Sequence, residues 1–341
     1  MVLHESKQHI GFVICVLLIV LLLTCLLAMC VGHYKLSAID CLRILVGKPF
    51  GVKGNWNALD ESVLLGLRLP RVTAAILIGA CLAISGASYQ SVFQNPLVSP
   101  DILGVSSGAC VGAALAILLH SPKVVIMISA FASGIMTVAL TIAIPKLLKS
   151  ESNIMLVLSG IVVGGLTGSA IGIIKFIADP HEELPQITFW MMGSLDGLSM
   201  PIVLLAAIPI IICVALLVRL SWWIDVISMG QKDAQTLGAN VNRIRLLTIA
   251  ASTLLTATSV CLAGTIGWVG LVIPHFARMF VGANNTKLIP TAALLGSVFL
   301  LLVDTIARTV APTEVPLGII TGLVGAPFYA WLLYRQRAKL N

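Results

Sequence analysis

The feature that most constrains the fold of this chain is a succession of apolar runs, each long enough to cross a lipid bilayer. A helix needs about 17 to 25 apolar residues to span a hydrocarbon layer of about 30 Å. Apolar residues make up 58% of the 341 residues and charged residues only 10%, unlike a soluble domain. We therefore predict an all-α integral membrane protein surrounded by lipid. Ten spans are predicted, at 10–31, 72–93, 102–119, 124–144, 154–177, 201–218, 246–263, 265–281, 288–303 and 315–334.

The polar segments between these spans are short. Each is too short to bury a hydrophobic core of its own. We therefore expect the whole chain, 1–341, to form a single transmembrane permease domain.

The charged residues predict the orientation of the spans. An even number of spans places both ends of the chain on one side, and the C-terminal tail carries Arg335, Arg337 and Lys339. Because lysine and arginine accumulate in cytoplasmic segments, both termini are predicted to be cytoplasmic, in a multi-pass protein of the inner (cytoplasmic) membrane. The inner segments then carry twelve basic and five acidic side chains, the outer segments eight and nine, and Lys175 lies within the fifth span. The net charge of +7 thus reports orientation, and no nucleic-acid partner is implied.

Glycine recurs at helical spacing on three of the spans. Small residues four apart let two helix backbones approach closely, because lipid supplies no hydrophobic drive for helix association. The functional alternative is a smooth glycine face that lines a transport path, and spacing alone does not separate the two. The glycines are Gly160, Gly164, Gly168 and Gly172 on the fifth span, Gly318 and Gly322 on the tenth, and Gly104, Gly108 and Gly112 on the third.

Two stretches interrupt the apolar pattern with proline and polar residues. The stretch 93–104 holds two prolines and Asp101, and the stretch 267–280 holds Pro274 and His275. Irregular backbone at membrane depth is tolerated only where protein or a water-filled cavity satisfies it. The pattern therefore favours a transporter or channel over a passive anchor. We interpret His275 as a packed or interfacial histidine.

The residues do not indicate an energy source within the chain. No Asp or Glu lies near the middle of a span, which disfavours a carrier coupled to a proton or sodium gradient. Lys175, with Asp179 four residues on, is interpreted as a snorkelling lysine in a helical ion pair. The chain has no G-x-x-x-x-G-K-[ST] motif, so ATP and Mg would bind to a separate ATPase docked inside. The inner segment 222–245 is the best docking surface, with an ordinary polar connector as an equal alternative.

The sequence gives no sign of catalytic or metal chemistry. The spans contain no paired carboxylates, metal-ligand cluster or activated nucleophile, so we predict neither an enzyme nor a bound cofactor or metal. Seven of the eight cysteines fall inside the apolar spans and only Cys41 lies in an outer segment. Because none forms a C-x-x-C pair, we interpret them as small apolar residues and disfavour a disulfide framework or a zinc site.

Three stretches resemble the permease subunits of ABC importers for iron-siderophores, haem and vitamin B12, the FecCD type. They are 67–109, with LRLPR and NPLVSPDILGVSSGA, 264–279, with GTIGWVGLVIPHFARM, and 303–333, with VDTIARTVAPTEVPLGIITGLVGAP. The resemblance covers nearly the whole chain and implies the type II ABC importer permease fold. It also implies a homodimer with two ATPase subunits and an extracytoplasmic substrate-binding protein.

The resemblance implies a metal chelate as cargo, with iron-siderophore or haem first and cobalamin next. Some relatives carry molybdate or tungstate, so an oxyanion stays an alternative. A secondary transporter coupled to an ion gradient is the rival from a different class.

The resemblance also implies roles for particular residues. The glycine faces of the fifth and tenth spans would line the path between the two subunits. Arg68, Arg71 and Arg308 would receive glutamates of the binding protein, because exposed guanidinium groups pair well with carboxylates. Ser152 and Asn153 match the cytoplasmic gate of the B12 permease, with Asn where that protein has Thr. The segment that would couple to the ATPase contains Gly230, Asp233, Leu237 and Gly238.

Overall fold

The computed structural model describes residues 2–48, 51, 56–149 and 152–337, except for the side chains of 2–9, 231, 333 and 335–337. Within these ranges the chain forms helices joined by turns, and no strand occurs in them. The α-helices are α1 Val2–Cys30, α2 Ala38–Gly47, α3 Ala58–Glu61, α4 Leu69–Val92, α5 Val105–Leu118, α6 Lys123–Leu147, α7 Asn153–Ile177, α8 Glu183–Met192, α9 Met200–Ser228, α10 Gln231–Thr236, α11 Val241–Ala263, α12 Val269–Val281, α13 Asn285–Ala307 and α14 Leu317–Arg337.

The apolar helices match the predicted spans. In the described part of the chain, seven helices are long and apolar enough to cross a membrane, and three shorter apolar helices accompany them. The shorter three belong to α5, α12 and α14. The prediction of an all-α protein with ten apolar spans is therefore confirmed.

The second span begins far earlier than the sequence suggested. A π-helical segment, Ser62–Arg68, joins α3 to α4, so that the helix runs without a break over Ala58–Val92. Pro70 stands at the start of α4, where the missing N–H of proline costs little because the wide π turn precedes it. Arg68 and Arg71, expected in an outer loop, are therefore helical residues one turn apart.

The central helix of the bundle is α4, which packs against α13, α11, α12 and α9. Glycine pairs set its closest crossings. A Cβ on Gly79 would lie 2.2 Å from the carbonyl oxygen of Gly296 in α13, and a Cβ on Gly86 would lie 1.8 Å from that of Gly270 in α12. Since no side chain fits at these distances, the backbones themselves touch, and van der Waals contact holds the helices together.

The irregular stretch before α5 is satisfied by protein. With 14 residues, α5 reaches about 21 Å, which is less than the hydrocarbon thickness of about 30 Å. A 3-10 turn, Pro100–Leu103, precedes it, and Gly104 connects the two with φ of 83°. The hydroxyl of Thr141 in α6 donates to the Leu103 carbonyl oxygen at 3.0 Å. The expected satisfaction of irregular backbone by neighbouring helices is confirmed here.

Candidate functional site

Two of the arginines predicted to dock the binding protein share one buried carboxylate. They lie at the end of the bundle that the charge distribution assigns to the outside, here called the outer end. Arg71 Nε donates to Asp304 Oδ1 at 2.7 Å, and Arg308 Nε donates to Asp304 Oδ2 at 3.0 Å. Asp304 is 0% exposed. The carboxylate therefore ties α4 to the end of α13.

Glu314, in the turn before α14, supplies a second carboxylate. Its two oxygens accept from Arg71 Nη1 at 2.9 Å and from Arg71 Nη2 at 2.5 Å, the bidentate geometry that strengthens such pairs. The Ser194 hydroxyl also donates to Glu314 Oε1, at 3.0 Å. Burial opposes ionisation of Glu314, but the hydrogen bonds and charge of Arg71 outweigh burial, and the pKa of Glu314 lies below its usual range.

Arg68 and Arg308 also bind the outer end of α1. The Arg68 guanidinium donates to the carbonyl oxygens of Met29 and Tyr34. Arg308 Nη2 donates to the Ala28 carbonyl oxygen at 3.1 Å. The last carbonyls of a helix lack partners within the helix and carry partial negative charge, so cations are stabilising there.

These contacts change the expectation for the arginines. Arg68 and Arg71 are only 5% and 9% exposed, whereas the sequence reading assumed exposed guanidinium groups. The reason is that both belong to a helix packed against α1 and α13. A cavity of about 370 Å³ nevertheless opens beside them, and its lining includes all three arginines together with Asp196 and Glu314. Their role in docking stays a prediction.

Sequence reasoning missed Asp304 and Glu314. Asp304 lies one residue past the predicted end of the ninth span, and Glu314 precedes the tenth. The spacing of Asp304 and Arg308, four residues apart, was a signal for the i,i+4 ion pair that forms. The contact of Arg71 with both carboxylates had no local signal, because more than 200 residues separate the partners.

The predicted glycine face of α7 divides into a packed and an open part. A Cβ on Gly160 would lie 2.1 Å from the carbonyl oxygen of Ile102 in the 3-10 turn. A Cβ on Gly164, Gly168 or Gly172 would meet nothing within 4 Å among the described atoms. Only 28% of the most apolar stretch of α7 is buried. The open part of this face therefore has no partner within the described chain.

Other residues of the same chain pack against the glycine face of α14. A Cβ on Gly318 would lie 2.7 Å from the Met192 carbonyl oxygen, and one on Gly322 would lie 3.6 Å from the Trp268 indole nitrogen. At Gly325 a Cβ would approach that of Trp268 to 2.6 Å. The two glycine faces therefore differ, because the glycines of α14 pack closely against the end of α8, at Met192, and the start of α12, at Trp268.

The predicted gate residues lie at the start of α7. Ser152 caps the helix, with its hydroxyl oxygen accepting from the Ile154 N–H at 3.2 Å, and Asn153 is the first helical residue. Both line a cavity of about 250 Å³ together with Asn242 and Arg245, from the first turns of α11. The predicted gate therefore faces the helix that follows the predicted coupling segment.

The predicted coupling segment forms a short exposed helix. Gly230 (φ 133°) and Gly238 (φ 80°) flank α10, in a backbone conformation that favours glycine. Ala234 is fully buried and anchors α10 against α9 and α11. Asp233 is exposed, and Leu237 is 57% exposed. The predicted helix breaks are confirmed, although α9 extends to Ser228 and takes up the start of the segment.

Two predictions about single residues have different outcomes. His275 packs beside Phe328 of α14, with ring centroids 6.4 Å apart, as interpreted from the sequence. The predicted ion pair between Lys175 and Asp179 does not form, so that prediction is wrong. The helix ends at Ile177 and the chain turns extended, so Asp179 Oδ1 instead accepts from backbone N–H groups just beyond it.

Metal ligands do not cluster in the described part of the chain. No group of three or more His, Cys, Asp or Glu side chains there could hold a metal ion.

Apolar helices of span length, irregular backbone satisfied at membrane depth and a polar pocket at one end are the architecture of a multi-pass membrane permease. The sequence model of the FecCD transport family matches residues 18–335, and the chain belongs to that family. It is therefore the membrane subunit of an ABC transporter.

Similar proteins come from several bacteria. The chain is 36% identical over 326 residues to the molybdate import permease MolB of Haemophilus influenzae, covering 95% of this chain and 96% of that one. It is 40% identical over 275 residues to a probable iron chelatin permease of Helicobacter pylori, covering 81% and 83%. A solved metal-chelate-type ABC transporter in an inward-facing conformation matches with a TM-score of 0.86 at 35% identity, covering 95% and 99%.

Proposed function

We propose that this chain is the homodimeric permease of an ATP-driven importer that carries a metal chelate into the cytoplasm. The observation that carries the proposal is the open glycine face of α7, formed by Gly164, Gly168 and Gly172, which meets nothing within 4 Å in the described protomer. A second copy facing this surface would enclose a path whose wall is helix backbone at these three positions. Iron bound to a siderophore or haem is the first candidate cargo, and cobalamin is the next.

Molybdate is the second candidate cargo. The relative named for molybdate import aligns with nearly the whole of this chain. The relative named for iron chelatin and the solved metal-chelate-type transporter support the chelate. In either case the cargo is transported unchanged, so the permease needs no catalytic group.

The outer pocket is the proposed contact for an extracytoplasmic binding protein. Carboxylates of that partner would have to meet Arg71 and Arg308, which already hold Asp304 and Glu314. Asp304 is sealed from solvent, whereas the Glu314 side chain is 19% exposed. An incoming carboxylate would therefore exchange with Glu314 and leave Asp304 in place.

Two separate ATPase subunits would supply the energy, with ATP and Mg bound to them. Each would dock on α10, where Leu237 offers an exposed apolar side chain beside Asp233. Movement of α10 would pass directly to α11, whose first turns share a cavity with Ser152 and Asn153. Closure of the ATPases would in this way open or shut the inner end of the path.

Uptake in cells tests the cargo. A strain lacking this permease is compared with the same strain carrying the gene, for iron-siderophore, haem, cobalamin and molybdate separately. We expect uptake of one iron chelate to depend on the gene. Dependence of molybdate uptake alone would replace the chelate with the oxyanion, and independence of all four would overturn the proposed cargo classes.

A further inference from the structure

Two cysteine thiols lie in contact at the outer end of the bundle. Cys30 is the last residue of α1, and Cys41 lies in α2, beyond a short loop. Their sulfur atoms are 3.8 Å apart, and the Cys41 thiol also lies 3.7 Å from the Met29 carbonyl oxygen. A disulfide bond needs the two sulfurs at about 2.05 Å. The remaining distance can be closed by rotating the side chains or by a small shift of the short helix α2.

The two thiols differ in access. Cys30 is partly exposed, whereas Cys41 is 0% exposed. Burial is the main reason that the pKa of Cys41 is raised to about 12, with the Cys30 hydrogen bond adding to it. A reagent from solution therefore meets Cys30 first, and Cys41 is placed to react second, from within the protein.

The location suits oxidation. The charge distribution assigns the segment between the first two spans to the outside, where disulfides form and persist. In contrast, other cysteines such as Cys81 and Cys213 lie buried within the helical bundle.

We propose that Cys30 and Cys41 are a dithiol pair that closes to a disulfide on the outer face of the membrane. The Cys30 thiolate attacks a small-molecule or protein disulfide and releases one thiol, leaving a mixed disulfide on Cys30. The Cys41 thiol then attacks Cys30 Sγ and passes its proton to the departing thiolate, which leaves as the second thiol. Two cysteine thiols are oxidised and one external disulfide is reduced to two thiols, so electrons and protons balance.

The link would fasten a wall of the outer pocket. The loop that it closes contains Gly32 and Tyr34, which line that pocket. Arg68 donates to the carbonyl oxygen of Met29, just before this stretch, and to that of Tyr34, within it. A Cβ on Gly32 would lie 2.9 Å from Arg68 Nη2, so the loop already fits closely over the arginine. Oxidation would hold this fit covalently, whereas in the reduced state only contacts such as the Arg68 hydrogen bonds hold it.

Thiol counting tests the proposal in the full chain in lipid discs. The protein is treated with oxidised glutathione, denatured, and labelled with a maleimide that adds resolvable mass. The chain has eight cysteines, so we expect two labels fewer after oxidation and all eight after reduction. Cys30→Ser should take seven labels whether or not it is oxidised, whereas Cys41→Ser should take seven before oxidation and six after it, because its Cys30 stays in the mixed disulfide with glutathione. Cys25→Ser, from the same helix, is the matched control and should still lose two labels on oxidation.

Peptide mapping of the wild type and of Cys30→Ser identifies the partners, because the tryptic peptide that contains Cys30 also contains Cys15 and Cys25. Trypsin cuts after Lys35 and Arg43, which separates the peptide with Cys30 from the peptide with Cys41. We expect the two peptides to be joined without reductant and to weigh two hydrogens less than their sum. Full labelling after oxidation, or a link that survives in Cys30→Ser, would overturn the proposal.

Discussion

Asp304 accepts a hydrogen bond from Arg71 Nε at 2.7 Å, although 233 positions separate the two residues along the chain. The carboxylate is 0% exposed and also accepts from Arg308. Removing one member of a buried ion pair leaves the other charge unpaired in a poorly solvated site, which costs about 3 to 5 kcal/mol. We therefore expect Asp304→Asn to lower the free energy of unfolding by about this amount, measured by denaturant unfolding in detergent.

The matched control for this prediction is Asp40→Asn. Asp40 pairs with Arg43 at 3.6 Å on an exposed face of α2, and exposed pairs contribute about 0 to 1 kcal/mol. If Asp304→Asn costs no more than Asp40→Asn, the buried network does not stabilise the outer end.

The pair between Glu314 and Arg71 predicts an acid-sensitive stability. A carboxyl group whose pKa is lower in the folded state stabilises the fold above its unfolded pKa, which for Glu is 4.5 here. This contribution is lost as the pH falls through the lower, folded pKa. We expect the free energy of unfolding of the wild type to fall as the pH drops below about 4.5. Glu314→Gln, measured by the same unfolding curves, should show a shallower fall.

Glu182→Gln removes the same charge from an exposed outer position and serves as the control. If the free energy of unfolding falls equally steeply at acid pH in Glu314→Gln and in the wild type, this carboxylate is not held by Arg71.

The two parts of the α7 glycine face should respond differently to alanine. Gly160→Ala places a methyl group 2.1 Å from the Ile102 carbonyl oxygen, and overpacking of this kind costs about 1 to 3 kcal/mol. Gly168→Ala meets open space within the protomer and should leave its thermal unfolding unchanged or slightly improved, because alanine favours helix.

Transport distinguishes the same variants. If Gly168 faces a second copy across the path, Gly168→Ala lowers uptake without lowering stability. Equal destabilisation by Gly160→Ala and Gly168→Ala would contradict this. It would mean that the open face is packed against a partner in the functional protein, as closely as Gly160 is packed against Ile102.

Most of the fold could be predicted from the sequence, because a span of apolar residues has few alternatives in lipid. The ten spans and the helix break at Gly230 follow from hydropathy and from glycine chemistry. The extension of α4 through Arg68 and Pro70 could not be predicted, since charged residues and proline read as a loop. Only the π turn and the contacts with α1 and α13 make a helix there.

The candidate site was predicted less completely. The family resemblance led to Arg68, Arg71 and Arg308, but it did not show that the carboxylates of Asp304 and Glu314 already hold two of them. Charge reversal at these arginines is therefore a poor test of docking, because it would set a new carboxylate beside a buried one. Glu314→Gln is the sharper variant, since it removes the competitor and keeps the arginines.

In the proposed function, a separate ATPase drives transport through contact with α10. The decisive measurement is substrate uptake into liposomes that hold this permease and its ATPase, with the loaded binding protein outside and ATP inside. Leu237→Asp is compared with Leu59→Asp. Leu59 lies in the outer segment and is 53% exposed. We predict that uptake requires ATP, that Leu237→Asp abolishes it and that Leu59→Asp leaves it intact. Uptake that proceeds on an ion gradient without the ATPase, and is unaffected by Leu237→Asp, would contradict the account.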